Sequence, residues 1–159
     1  MIDVEPQTAV GLVSLTVPAN LDYSAAIRDF TLASLKNVGG FDAAWASRMQ
    51  LAVDELFMNA VRYGSRPGSP VHLQFDFAPH RLRVAVEDCG EGACPLGARE
   101  LATRVEAARK AHIAREQRGE TNLALSGRGL SQLVSSWADE LSFEDSPAGG
   151  IRVTMTKTL

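Results

Sequence analysis

The chain is poor in the residues that most often announce chemistry. Its 159 residues include two cysteines, Cys89 and Cys94, and three histidines, His72, His80 and His112. Their spacing fits neither a disulfide framework nor a zinc site, so a stapled scaffold and a structural metal centre are excluded. The cysteines read as ordinary cytosolic thiols and the histidines as structural or surface residues. No apolar run approaches the roughly 20 residues that span a bilayer. Met1 to Gln7 lack a basic region followed by an apolar stretch, so no signal peptide is expected and the cytoplasm is the default location. Positive charge is not in excess either. A formal net charge of −3 argues against direct nucleic-acid binding. Internal repeats and low-complexity tracts are absent.

What remains is a globular composition, 45% hydrophobic and 22% charged, at a length that fits one domain over residues 1–159. Gly11 to Pro18 alternates Val13, Leu15 and Val17 with Ser14 and Thr16, a strand stopped by proline. Asn20 or Asp22 can cap a helix from about Tyr23 to Val38, with Ala26, Phe30, Ala33 and Leu35 on its apolar side, ended by Gly39-Gly40. Asp42 opens a longer helical pattern through Trp45, Met49, Ala52, Val53, Leu56 and Ala60 to Tyr63 and Gly64. After the turn cluster 65–70, Val71 to Phe77 and Leu82 to Glu87 read as a β-hairpin. Ala98 to Arg118 form a charge-dense helix with few apolar residues (Leu101, Val105, Ile113), expected to be mostly solvated. Gly119 to Gly127 read as loop and Leu130 to Ala138 as a short helix. Glu140 to Glu144 and Ile151 to Thr158 close the chain as two strands. The sum is an α+β two-layer sandwich.

Three clusters carry polar chemistry. Glu55 and Asn59 lie one turn apart and share a helix face. They suit two solvated polar residues, or a hard oxygen ligand for magnesium beside a base for a hydroxyl proton. Asp88-Cys89-Gly90-Glu91-Gly92 follows a strand directly. It suits a plain turn, or a carboxylate that accepts from an exocyclic amine on a floor opened by glycine. Ser126-Gly127-Arg128-Gly129-Leu130 leads into a helix, where free N–H groups and the dipole favour phosphate. It lacks the spacing of a Walker loop or a dinucleotide fingerprint.

In this order the clusters resemble the Bergerat-fold (GHKL) ATP-binding domains, and within them the bacterial anti-sigma factor serine kinases. LAVDELFMNAVRYG (51–64) matches the N box, VEDCGEG (86–92) the first glycine box and GRGL (127–130) the second. VSLTVPANLDYSAAIRDF (13–30) resembles the opening strand and helix, and GGIRVTMTK (149–157) the closing strand. The resemblance implies a mixed, mostly antiparallel sheet with helices on one face and an ATP lid at about 93–126. It implies that Asn59 holds the Mg²⁺ that bridges the ATP phosphates and that Glu55 activates a serine hydroxyl on a partner. Asp88 would receive the adenine amine, with Gly90 and Gly92 shaping the floor. Gly127, Arg128, Gly129 and Leu130 would line the phosphates. Lys110 and the lid arginines can reach phosphate, but no motif selects one.

The same resemblance implies an anti-sigma factor that binds a sigma factor or another effector in one state. In the other it would phosphorylate a serine of a STAS-domain antagonist, releasing it. Dimers are common in the family, so a homodimer is carried over. The alternative is a non-catalytic, ATP-responsive binding module that sequesters a partner without phosphoryl transfer. Two departures stand out. Wider members often carry threonine after the closing-strand glycine, where it supports adenine through water; Ile151 stands there. The insert is also long for a serine-kinase lid. Histidine kinases share the nucleotide motifs, but their dimerisation helices find no room in this chain.

Overall fold

The computed structural model describes residues 11–92, 97–119 and 137–159. Among these residues the strands and α-helices follow in the order β1 (Gly11–Pro18), α1 (Ser24–Asn37), α2 (Ala43–Asn59), β2 (Pro70–Ala78), β3 (Arg81–Glu87), α3 (Ala98–Gln117), β4 (Glu140–Asp145) and β5 (Ile151–Thr158). The expected helix Leu130–Ala138 lies outside the described residues except for its last two positions. So does most of the expected loop Gly119–Gly127.

The strands form one sheet in the order β1-β2-β3-β5-β4. All four pairings are antiparallel, at the antiparallel end of the expected mixed sheet. Alternation decides the faces, because successive side chains of a strand point to opposite sides. Val71, Leu73, Phe75 and Phe77 of β2 and Leu82, Val84 and Val86 of β3 turn inward and are buried. The other face carries Thr16, His72, Gln74, Glu87 and Arg152, and Arg152 donates to both Gln74 (2.6 Å) and Glu87 (3.3 Å). α1 and α2 cover the apolar face, and the core lies between them and the sheet. Phe75 and Phe77 stack at 5.7 Å, and Phe30 of α1 meets Phe75 edge-on at 5.2 Å.

Asp42 caps α2 by accepting the Trp45 N–H at 2.9 Å. The inner face of α2 is as its period suggests, with Met49, Ala52, Val53, Leu56 and Phe57 buried. On α1 the apolar side differs from expectation. Ile27, Thr31 and Leu35, four residues apart, face the core, whereas Ala26 and Ala33 are exposed. Larger side chains gain more by burial than alanine and set the rotation of the helix. The Thr31 hydroxyl is satisfied inside its own helix by the Ile27 carbonyl, at 2.7 Å. The second helical pattern also ends differently. Regular α-helix stops at Asn59, and Ala60–Gly64 continue as a π turn, the kind of local widening often found at functional sites.

Candidate functional site

A cavity of about 570 Å³ opens where the end of α2, the facing ends of β3 and β5, and α3 converge. Asn59, Asp88 and Gly90 stand in its wall together. Asn59 comes from one stretch of the chain and Asp88 and Gly90 from another, and the fold joins the two. Glu55 is not part of the wall but borders it, accepting from the Asn59 amide nitrogen at 3.4 Å. That contact turns the nitrogen of Asn59 toward Glu55 and frees its carbonyl oxygen as a ligand atom.

Glu55 is half-buried, and loss of hydration raises its pKa. The positive charge of Arg62 and the Asn59 amide oppose the rise, while Asp54 adds to it. Such a carboxylate holds a proton more readily than a solvated one, which suits a group that must accept one. Asp54, its neighbour, points the other way. It is buried, accepts a hydrogen bond from Ser24 and lies 3.7 Å from the Arg28 guanidinium. These bonds tie α2 to α1 and hold the turn that carries Glu55.

Asp88 follows β3 and is buried. Its Oδ1 accepts the Gly90 N–H at 2.9 Å and the Ile151 N–H at 3.3 Å. Burial raises its pKa, and these two amides act against the rise. Both bonds fall on one oxygen, so among the described residues Oδ2 accepts none. Glycine clears the space around this carboxylate. A Cβ on Gly64 would lie 2.1 Å from Oδ2, and one on Gly150 would lie 2.4 Å from Oδ1. Gly90, at φ 71°, would set a Cβ 1.9 Å from the Gly149 carbonyl oxygen. Gly92 lies two residues further along the same loop. It is outside the cavity wall, and its Cβ would lie 2.2 Å from the Tyr63 carbonyl oxygen. It lets the loop after β3 seat on the π turn. Next to that turn, Ser65 buries its hydroxyl, which has no hydrogen-bond partner among the described residues.

The remaining wall is α3. Leu101, Arg104 and Val105 face the cavity from its first two turns. The helix starts against β4, where the Asp145 carboxylate accepts the Ala98 N–H at 2.8 Å. Beyond these turns it is largely exposed, as its sparse apolar pattern suggests. Gly127, Arg128, Gly129 and Leu130 lie outside the described residues. Tyr63, Gly64, Gly149, Gly150 and Asp145 were given no role in this site from sequence, and Arg104 was one of the lid arginines among which no motif selects. Tyr63, Gly64 and the Gly149-Gly150 pair stand inside the matched motifs, and a glycine ending a helix reads first as a C-cap.

An antiparallel sheet backed by two helices, with a buried aspartate at a strand end and glycines packed around it, defines a GHKL-type ATPase fold. The profile of the histidine kinase-like ATPase domain matches residues 17–157, and the chain belongs to this family. No curated protein matches the chain. Membership implies ATP binding, typically with Mg²⁺. The residues present fit that pair. Asp88 offers an acceptor in a floor cleared of side chains, and Asn59 offers a carbonyl oxygen. Among the described residues no three His, Cys, Asp or Glu side chains converge on a metal-sized site. Magnesium usually completes its ligand set with phosphate oxygens and water. Among the described residues, no helix is long and apolar enough to cross a membrane.

Proposed function

We propose that the chain is an anti-sigma factor and serine-protein kinase, acting in the cytoplasm as one domain with its lid at about 93–126. It binds Mg-ATP and sequesters a sigma factor or another effector. It phosphorylates a serine on a STAS-domain antagonist in a partner-switching circuit, and it works as a homodimer. The observation that carries this reading is the pair on α2, a half-buried Glu55 hydrogen-bonded to the Asn59 that lines the cavity.

The pair divides the labour of phosphoryl transfer. Asn59 would hold the metal, which neutralises charge on the phosphates when bound. Glu55, one hydrogen bond away, takes the proton of a serine hydroxyl presented at the rim as the serine oxygen bonds to the γ-phosphorus and the bond from that phosphorus to the β–γ bridging oxygen breaks, leaving ADP. Asp88 orients the base of the nucleotide through Oδ2, its other oxygen being held by two backbone amides. The Ile151 that replaces threonine supplies one of those amides, so the position still serves the aspartate through its main chain.

The test is Glu55→Ala, assayed for transfer of labelled phosphate from ATP to STAS-domain proteins and, separately, for ATP affinity. The kinase reading expects a loss of transfer of at least about 100-fold with affinity kept within a few-fold. Unchanged regulation of the partner by the variant would instead favour a binding module that uses ATP only to set its conformation.

A further inference from the structure

The cavity wall contains two carboxylates, Asp88 and Asp145, and among the described residues one cation, Arg104. A nucleoside phosphate would bring several negative charges into this acidic setting. Asp88 is suited to the base and offers the phosphates nothing but repulsion. Asp145 is committed to the first N–H of α3. Arg104 is positioned to answer the charge. Leu101 and Val105 flank it in the same wall, and Val105 also packs against the core. That apolar contact fixes the rotation of α3 and so keeps Arg104 toward the cavity.

The partner that Arg104 now has is easily given up. Its Nη2 lies 3.1 Å from Glu100 Oε1 one turn back on the same helix, and the two side chains are 60% and 55% exposed. An exposed pair of this kind contributes little, because water and salt screen it. Phosphate offers the planar guanidinium a bidentate, charge-assisted partner instead.

We propose that Arg104 is the residue through which α3 reads the phosphates, making the cavity selective for nucleoside di- and triphosphates over nucleosides. The proposal rests on the nucleotide-site reading and selects one among the basic residues of the insert. Exchange of Glu100 for phosphate couples the charge of the ligand to the seating of α3.

The experiment is calorimetric titration of the full chain with ADP and with adenosine, for wild type, Arg104→Ala and Arg104→Lys. Arg104→Ala should weaken ADP about 10- to 100-fold and leave adenosine within about twofold. Arg104→Lys, with charge but no fork, should fall between. The dependence of ADP affinity on salt should be shallower in Arg104→Ala. Glu100→Gln, which releases the arginine, should bind ADP as tightly as wild type or more so. Equal weakening of ADP and adenosine would overturn the proposal, since it would mean that Arg104 acts only through packing of the helix. Unchanged ADP affinity in Arg104→Ala would overturn it too, with the nucleotide site left standing. Wild-type protein that binds neither ligand would overturn the site itself and this proposal with it.

Discussion

Gly64→Ala is the sharpest test of how the cavity is built. The backbone at Gly64 is not among the positive-φ positions, so alanine meets no conformational penalty there. The cost comes from what the new methyl group would touch. Its Cβ would lie 2.1 Å from Asp88 Oδ2 and 2.3 Å from Cγ, where ordinary contact begins at about 3.4 Å. The carboxylate must retreat by more than an ångström, and it is not a free side chain. Retreat strains or breaks the bonds from Gly90 (2.9 Å) and Ile151 (3.3 Å) to Oδ1. Hydrogen bonds to a charged group contribute about 1.5–3 kcal/mol each, and overpacking costs about 1–3 kcal/mol. With partial relaxation the expected destabilisation is about 2–4 kcal/mol, or a fall in Tm of roughly 5–15 °C for a chain of this size. Urea denaturation of wild type, Gly64→Ala, Asp88→Ala and the double variant gives the coupling directly. If the clash runs through the carboxylate, Gly64→Ala costs under about 1 kcal/mol once Asp88 is alanine. An equal cost in both backgrounds, or a cost below about 0.5 kcal/mol in wild type, refutes the reasoning.

Two further outcomes follow from the α2 pair. Asn59→Ala should abolish the Mg²⁺-dependent part of ATP affinity in calorimetry while leaving metal-free binding nearly intact; equal affinity with and without the ion in wild type would remove the metal assignment. The Arg62 charge lowers the pKa of Glu55, so Arg62→Gln raises it further. Glu55 acts as a base only when ionised, so the acid limb of the transfer-rate profile should move to higher pH in that variant. An acid limb at the wild-type position would show that Glu55 is not the titrating base.

The fold was legible because each element announces itself locally. β1 and β3 alternate, β2 does so from Val71 to Phe77, and their observed bounds agree with the pattern to within a residue or two. Rotation of α1 was harder, since Ala26, Ile27, Ala33 and Leu35 all count as apolar and only volume separates the core face from the exposed one. The π turn at Ala60–Gly64 left no mark in composition, because five residues of ordinary helical character can close either kind of turn. Asn59, Asp88 and Gly90 were readable as site candidates from their motifs. Gly64 and Gly150 were not assigned, because the aspartate they shelter is 24 and 62 residues away in the chain. Arg104 was one of several arginines on a charged helix until the packing of Val105 set it against the cavity.

β5 lies inside the sheet, hydrogen-bonded to β3 on one side and β4 on the other. It is nevertheless the last of the described elements that a ribosome makes. Until it emerges, β3 has an open edge and the apolar faces of β2 and β3 lack a flank, a state prone to aggregation during synthesis. The Asp88 carboxylate, too, lacks the Ile151 amide that helps orient it. The cavity is thus complete only once β5 has docked, because Ile151 and Val153 of that strand stand in its wall.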